Sequence, residues 1–444
     1  MSSRGKTVAR LLVRPAPMPD ESMTGYLLRL AEGNGFGSLL DLDLLVSKTD
    51  RGDARTTLAS LLIEPRLQAL RGPVTHFRNL RIADSGGVDA QYWNGRRPRY
   101  CPVCLAQVPY WRAQWDLTLM VACPTHRVLL CDACPGCHRA LSWKRRRVLE
   151  CDCAQPLAVV RPEPASEALV SVGAYLSAAL NPENVAASAY LQSDLRALSL
   201  TDLLALCAQF GAYFSPQGPK PTKMARLDEV AVAACVANGA GQVLLDWPRG
   251  FHSLLRDIGH RGSPAGAFSR MSARFGYFYT ALYRRFGAPP FDFLRSEFEA
   301  FVAREWVGQL TERNRRMSLA TRREHGWLPL TAAARSLKIR REAIRALIED
   351  GSLEGQWRVS PAGRTWGTVS KRSVDALRES MGQWMTLTQA RQVLGVSRKR
   401  AYALLRSGEL RAVRGPTVDG SPVWRFVARE VAALSEALHK SGHD

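Results

Sequence analysis

Residues 101–153 decide how this chain folds, because they hold eight of its ten cysteines. The stretch begins with Cys101-Pro-Val-Cys104, continues after eighteen residues with Cys123-Pro-Thr-His126, and ends with Cys134-Pro-Gly-Cys137 and Cys151-Asp-Cys153. Ligand pairs this close in sequence form turns that point both side chains at one centre. The stretch therefore predicts a module that folds around metal ions.

Two tetrahedral zinc sites account for most of these ligands. The first set is Cys101, Cys104, Cys123 and His126, and the second is Cys134, Cys137, Cys151 and Cys153. Each set supplies four protein ligands and leaves no position for water, so we predict two structural Zn²⁺ ions rather than catalytic ones. Cys131 and His138 are left over, and either could replace a member of the second set.

The basic residues are concentrated in the last third of the chain. The 444 residues carry a formal net charge of +21. Residues 310–444 hold 25 Lys and Arg against 13 Asp and Glu, a net charge of +12, whereas residues 151–309 hold 14 of each. Such a basic region is typical of nucleic-acid binding, so we predict double-stranded DNA as its partner.

No membrane partner is predicted, because no apolar run approaches the roughly 20 residues of a membrane span. The basic N-terminus lacks the apolar core of a secretory leader. Clustered cysteines in a chain without a leader favour metal binding over disulfides. The sequence therefore predicts a cytoplasmic protein.

The basic third contains an internal repeat with an offset of 57 residues. Leu330-Thr-Ala-Ala-Ala-Arg-Ser-Leu337 aligns with Leu387-Thr-Gln-Ala-Arg-Gln-Val-Leu394, and apolar residues further along align at the same offset. Each copy predicts a helix-turn-helix in which Thr331 or Thr388 caps the first helix. The second helix of each copy ends before a glycine, and a β-wing follows it.

The second helix of each copy is the predicted DNA-reading element, because arginine can pair with guanine edges or bind phosphate. The predicted DNA contacts are Arg340, Arg341 and Arg345 in the first copy, and Arg398, Lys399, Arg400, Tyr402, Arg406, Arg414 and Arg425 in the second. The sequence leaves open which of them contact bases and which contact phosphate. A small helical domain with solvated charges is the alternative interpretation.

The predicted fold is mainly α and multidomain. We expect an N-terminal helical region at residues 1–95, a double zinc-finger module at 96–160, a helical scaffold at 165–310, and winged helix-turn-helix domains at 325–380 and 384–438. The scaffold helices are predicted at 167–180, 188–198, 200–213, 226–238, 249–258, 269–286 and 291–310. No P-loop, nucleophile elbow or His-Glu-x-x-His motif is present, so we expect no enzymatic activity.

Several of these segments together resemble the TniQ/TnsD family of transposon target-selection proteins. One is the opening motif Pro17-x-Pro-x-Glu21-Ser22-x-x-Gly25-Tyr-Leu-Leu-Arg29. The others are Cys101-Pro-x-Cys104 with Tyr110-Trp111-Arg112-x-x-Trp115, Cys123-x-x-His126, Cys134-Pro-x-Cys137, and Asp246-Trp247-Pro248-x-x-Phe251. The resemblance extends over about residues 11–310.

The resemblance implies a role in target-site selection during DNA transposition. The protein would mark an insertion site and recruit an AAA+ ATPase regulator, which brings the transposase. It would be associated with the bacterial nucleoid during transposition. Some relatives bind an attachment sequence directly, and others dock on a CRISPR RNA-guided complex. The basic C-terminal third favours the direct mode without excluding the guided one. Two other functions stay open, a zinc-containing transcriptional regulator and a zinc-containing nuclease or recombinase.

Overall fold

The structure is a computed structural model. It describes residues 11–49, 70, 88–181, 193–214, 220–221, 226–261, 271–310, 314–359, 363–418 and 420–440. The chain divides into two compact units, with the boundary in the sequence between Phe298 and Glu299. Both are mainly helical, which confirms the predicted fold class.

The helices are numbered here in chain order. Those that begin before Phe298 are α1 (Met23–Gly33), α2 (Leu39–Thr49), α3 (Pro102–Gln107), α4 (Glu167–Leu180), α5 (Ser193–Arg196), α6 (Leu200–Gly211), α7 (Val230–Leu245), α8 (Arg249–Arg261), α9 (Met271–Arg284) and α10 (Asp292–Glu305). Those that follow are α11 (Leu319–Glu324), α12 (Leu330–Leu337), α13 (Arg341–Glu349), α14 (Lys371–Gly382), α15 (Leu387–Leu394), α16 (Arg398–Ser407) and α17 (Ala428–Lys440). Among the described residues, no helix is long and apolar enough to cross a membrane.

The strands are short and all their pairings are antiparallel. They are β1 (Ala122–Cys123), β2 (Val128–Leu129), β3 (Trp327–Pro329), β4 (Gly355–Val359), β5 (Thr365–Ser370), β6 (Trp384–Thr386) and β7 (Arg425–Val427). Strands β1 and β2 form a hairpin, β3, β5 and β4 form a three-stranded sheet in that order, and β6 pairs with β7. Each sheet lies within one unit and supports a site described below.

Helix α7 differs most from the sequence-based prediction. The sequence predicts a helix at 226–238, which would end before Gly239 and Gly241. The helix instead runs to Leu245. A Cβ at Gly241 would lie 2.2 Å from the carbonyl oxygen of Ala168, so this glycine lets the backbones of α4 and α7 pack closely. The glycines therefore serve helix packing rather than helix termination.

The second unit contains two copies of a winged helix that match element by element. Four pairs of elements begin 57 residues apart. They are strands β3 and β6, and helices α12 and α15, α13 and α16, and α14 and α17. The strand registers match as well, because Trp327 pairs with Ser370 and Trp384 with Val427. Each copy also has its own buried apolar cluster. The sequence repeat is therefore a structural repeat.

The predicted caps of the first helix in each copy were wrong. Thr331 and Thr388 lie inside α12 and α15, and the N-cap positions are Pro329 and Thr386. Thr386 accepts a hydrogen bond from the backbone of Gln389, whose side chain accepts one from the backbone of Thr386. This capping box satisfies two free amides at the helix start, which a cap at Thr388 would leave unpaired.

Candidate metal centres and nucleic-acid interface

The first cysteine cluster is assembled from a helix start and a β-hairpin. Cys101 is the N-cap of α3, with Pro102 at the first helical position, and its sulfur accepts a hydrogen bond from the backbone of Cys104. Strands β1 and β2 bring Cys123 and His126 to the same place, through a turn that Arg127 closes in the left-handed conformation. The two closely spaced ligand pairs thus meet at one shared centre.

The ligand atoms of the first cluster lie at the distances that a tetrahedral ion requires. Nδ1 of His126 is 3.6, 3.2 and 3.5 Å from the sulfurs of Cys101, Cys104 and Cys123. The sulfurs of Cys104 and Cys123 are 3.7 Å apart. An ion bound at about 2.3 Å by thiolates separates them by about 3.8 Å in a regular tetrahedron. The four residues therefore fit one metal ion.

The second cluster forms in the same way from two turns. The sulfurs of Cys134 and Cys153 are 3.6 Å apart, and those of Cys137 and Cys151 are 3.8 Å apart. Left-handed residues, His138 and Ala154, follow the two ligand pairs. Within the described residues these four cysteines also group within 4.8 Å of one another, so they could hold a second ion.

The two spare residues fall outside both clusters. The backbone of Cys131 exchanges two hydrogen bonds with Tyr100, and burial raises the pKa of its thiol to about 11. His138 has a φ of 56° at the end of its turn, and its backbone amide donates to the carbonyl of Cys134. The structure therefore gives both residues backbone roles beside the metal ligands.

The clusters differ in exposure and in thiol acidity. Cys101, Cys104 and Cys123 are buried, whereas Cys153 is exposed and Cys137 and Cys151 are half-buried. Hydrogen bonds from Arg139 lower the pKa of Cys137 to about 6. Burial raises the pKa of Cys151 to about 12. Cys137 is therefore a thiolate at neutral pH, and Cys151 would release its proton on binding a metal ion.

The opening helix α1 docks on the loop that joins the first two ligand pairs. The backbone amide of Ser22 donates to the carbonyl of Trp111 at 2.8 Å, and the Tyr110 hydroxyl donates to Asp20 at 2.7 Å. A Cβ at Gly25 would lie 2.4 Å from Cβ of Trp111, so only glycine fits there. The two motifs noted in the sequence are thus the two sides of one interface.

Arginine and tryptophan side chains join the second cluster to the same core. The Arg145 guanidinium stacks 4.4 Å from the ring centroid of Trp111 and 5.2 Å from that of Trp143. It also donates to the carbonyls of Ser142, Arg147 and Val148. Burial lowers the pKa of Arg145 to about 10, so it remains charged at neutral pH. This contact fixes the loop of the second cluster against the first.

Sequence reasoning missed two buried charged residues in this core. Arg99 donates to the carbonyls of Leu117, Thr118 and Met120 in the metal-site loop, and to that of Leu227 before α7. Asp116 accepts a hydrogen bond from Ser22, and burial raises its pKa to about 7. Neither residue has a sequence signal, since both resemble ordinary surface charges beside the ligands.

The second winged helix presents its basic residues to solvent. Helix α16 carries four basic residues and no acidic one, namely Arg398, Lys399, Arg400 and Arg406, and all four are exposed. Ser397 caps the helix by accepting a hydrogen bond from the backbone of Arg400. Tyr402 is half-buried, with Arg398 5.9 Å from its ring centroid. This surface has the form of a recognition helix.

The described part of the second wing has little strand structure. Arg414 and Arg425 meet across one isolated bridge, and a strand forms only from Arg425 to Val427. The Arg414 guanidinium lies 6.0 Å from the ring centroid of Trp384. Both arginines are half-buried beside the sheet rather than at the tip of a long wing.

In the first winged helix the predicted DNA contacts are arranged differently. The Arg341 guanidinium donates to the carbonyl of Thr365 in β5. The Arg345 guanidinium lies 3.8 Å from the ring centroid of Trp357 in β4. Arg340 is exposed as the N-cap of α13. Two of the three arginines are therefore engaged by the wing of their own domain.

The fold and these sites define a helix-turn-helix protein with an N-terminal core built around two cysteine clusters that could hold metal ions. Family comparisons agree with this description. The TniQ family model matches residues 12–130, so this part of the chain is a TniQ domain, which confirms the resemblance to the TniQ/TnsD family. A helix-turn-helix domain model matches residues 384–437, the second copy of the repeat.

The two matched domains support a DNA-binding role associated with transposition. The TniQ match includes α1 and the first cluster and ends before Cys134. The second cluster and the segment around Trp247 thus lie beyond it, although the sequence resemblance was expected to extend to about residue 310. A search of the curated proteins finds no match to the chain.

Proposed function

We propose that this protein selects target sites in DNA transposition by binding duplex DNA and recruiting an AAA+ ATPase regulator, which brings the transposase. The observation that carries the proposal is helix α16, which has four exposed basic residues and no acidic one, in a chain that also has a TniQ domain. An N-terminal domain associated with transposition and a C-terminal DNA-binding helix suit an adaptor between a DNA site and a protein machine.

The charge distribution supports direct binding of an attachment sequence. The net charge of +12 over residues 310–444 contrasts with the neutral stretch 151–309, which is suited to protein contacts. In the proposal the protein acts in the cytoplasm and is not an enzyme. Both clusters hold structural Zn²⁺, because three or four thiolates in a closed tetrahedral set leave no position for a reactive water.

A binding experiment tests both halves of the proposal. Full-length protein is titrated by fluorescence anisotropy into duplex fragments that tile the junctions of the transposon with its host DNA. We expect one fragment to bind at least about 1,000-fold more tightly than the others. Protein on that fragment should retain the ATPase of the same element when ATP is present. Equal affinity for every fragment would contradict target selection.

The same experiment separates the alternatives. A transcriptional regulator would bind a promoter fragment and retain no ATPase. A guided adaptor would show no preferred fragment by itself and would bind a CRISPR RNA-guided complex. Cleavage of plasmid DNA in the presence of a divalent metal ion would indicate a nuclease.

The salt dependence of binding tests the role of α16 directly. Replacing Arg398 and Lys399 with alanine should lower the slope of log affinity against log salt by about 1.8, because each phosphate contact contributes about 0.9. Arg249→Ala is the matched control, since Arg249 is 84% exposed and lies outside the basic region. An unchanged slope in the double variant would show that these residues do not contact phosphate.

A further inference from the structure

We infer that only the second winged helix reads DNA bases, so that the target contains one base-read segment although the chain carries two copies of the fold. This inference rests on the proposed function, because it specifies which part of the DNA-binding region recognises sequence. The matching registers of the two copies allow them to be compared position by position at the offset of 57.

The first step of the argument is the charge on the two recognition helices. Helix α16 has four basic residues and no acidic one, whereas α13 has two arginines and two glutamates. Glu342 and Glu349 are exposed and occupy the positions of Lys399 and Arg406. A carboxylate at these positions would face the phosphates on either side of a major groove and be repelled by them.

The second step is the state of the arginines on α13. The Arg341 guanidinium donates a hydrogen bond to the carbonyl of Thr365, and Arg345 is stacked on Trp357. Cation–π stacking and a carbonyl hydrogen bond each hold a guanidinium in place. To reach a base, both side chains would have to leave the wing and expose Trp357.

The third step concerns the residue that replaces Trp357 in the second copy. Arg414 stands where the first copy has Trp357, so no aromatic ring is available at that position to hold a recognition-helix arginine. The wing pairing of the second copy is also reduced, from the five residue pairs between β4 and β5 to the single bridge between Arg414 and Arg425. Arg398, Lys399 and Arg400 accordingly lie exposed in the first turn of α16, the part of a recognition helix that enters the major groove.

Selection from a randomised duplex library tests the inference with the full-length protein. We expect one contiguous conserved block in the selected sequences, of a length that one helix can read in the major groove. Two conserved blocks separated by a constant spacer would overturn the inference while leaving the proposed function intact. Failure to select any sequence would overturn both.

Matched charge variants identify the helix that reads the block. Lys399→Glu with Arg406→Glu should weaken binding to the selected site by about 100-fold or more and remove the sequence preference. Glu342→Gln with Glu349→Gln at the equivalent positions should leave the selected block unchanged, with affinity within about threefold. Thermal unfolding and metal content of each variant show that the fold is retained. Loss of preference in the glutamine variant would overturn the inference.

Discussion

Single side chains in the N-terminal core explain why the opening motif has its particular residues. Glu21 is fully buried and forms an ion pair with Arg29 at 2.7 Å, on the helix that Ser22 caps. Gly25 is small because Trp111 occupies the space that a side chain would need. Removing one partner of a buried ion pair costs several kcal/mol, since the other charge is left unpaired. The motif is therefore a set of contacts rather than a helix propensity.

The raised pKa of Asp116 predicts that the stability of the protein depends on pH. Its pKa of about 7 in the folded protein exceeds the ordinary value of 3.8, because burial disfavours the charged form. The folded state therefore holds a proton that the unfolded state releases, and the stabilisation is complete below about pH 4 and is lost as the pH rises through 7. Asp116→Asn should remove this loss, with a gain over wild type that grows to at most about 4 kcal/mol above pH 7.

Thermal unfolding of wild type and Asp116→Asn between pH 5 and pH 8.5 measures the effect. The difference between the two proteins isolates Asp116 from other titrating groups. Asp89→Asn serves as the control for the same change of a carboxylate to an amide at an exposed position. A pH-independent difference for Asp116→Asn would contradict the raised pKa.

At the scale of elements, the two clusters show how one ligand spacing produces sites of different accessibility. Helix α3 and the β1–β2 hairpin enclose the first cluster in the core. The second is formed by turns alone, with Cys153 exposed. The sequence predicted both ligand sets because the residues of each pair are close along the chain. It could not predict the difference in burial, which depends on the packing of α1 and Trp111.

The difference in burial predicts that a chelator removes metal from the second cluster first. Competition with a chromogenic chelator should release one ion quickly and the other only on unfolding, because an exposed thiolate exchanges its metal more readily than a buried one. Cys153→Ser should reduce the metal content from two ions to one and leave the first site filled. Cys104→Ser is the matched variant in the buried cluster, and we expect it to destabilise the whole core. Release of both ions at one rate would contradict the prediction.

In the tandem winged helices, the sequence predicted the order of the elements better than it predicted the contacts of individual side chains. The repeat offset and the ends of the second helices, before Gly351 and Gly408, are where the sequence predicted them. The caps were misplaced, because a threonine at the second position of a helix looks the same in sequence as a cap. The stacking of Arg345 on Trp357 could not be predicted, since it requires the wing to fold back on the helix.

For the whole molecule, the boundary between the two compact units lies close in sequence to the start of the basic region at residue 310. The compact unit that ends at Phe298 contains the TniQ domain and both clusters, and the unit that begins at Glu299 contains both winged helices. Separate apolar cores in the two parts predict separate stability. DNA binding and metal binding should therefore be separable by truncation.

Deletion of residues 327–444 tests this separation. The shortened chain should keep its helical circular dichroism and its bound metal, and lose sequence-specific DNA binding, since its basic third is removed. Anisotropy with the preferred duplex and metal analysis of the same sample provide the measurements. Full-length protein with Lys399→Glu and Arg406→Glu is the control for loss of binding without truncation. Unchanged affinity of the truncated protein would place the DNA-binding surface before residue 327.

The sequence by itself determined the features that arise from local chain geometry. Spacing of two or three residues sets each ligand pair, an offset of 57 residues sets the repeat, and the count of charges marks the basic third. Only the tertiary structure determined which ionisable side chains are buried and which are held by contacts within the protein. Burial raises the pKa of Asp116 to about 7, and Arg341 and Arg345 are held by a wing. These properties depend on burial and on partners distant in sequence, which only the packed chain brings together.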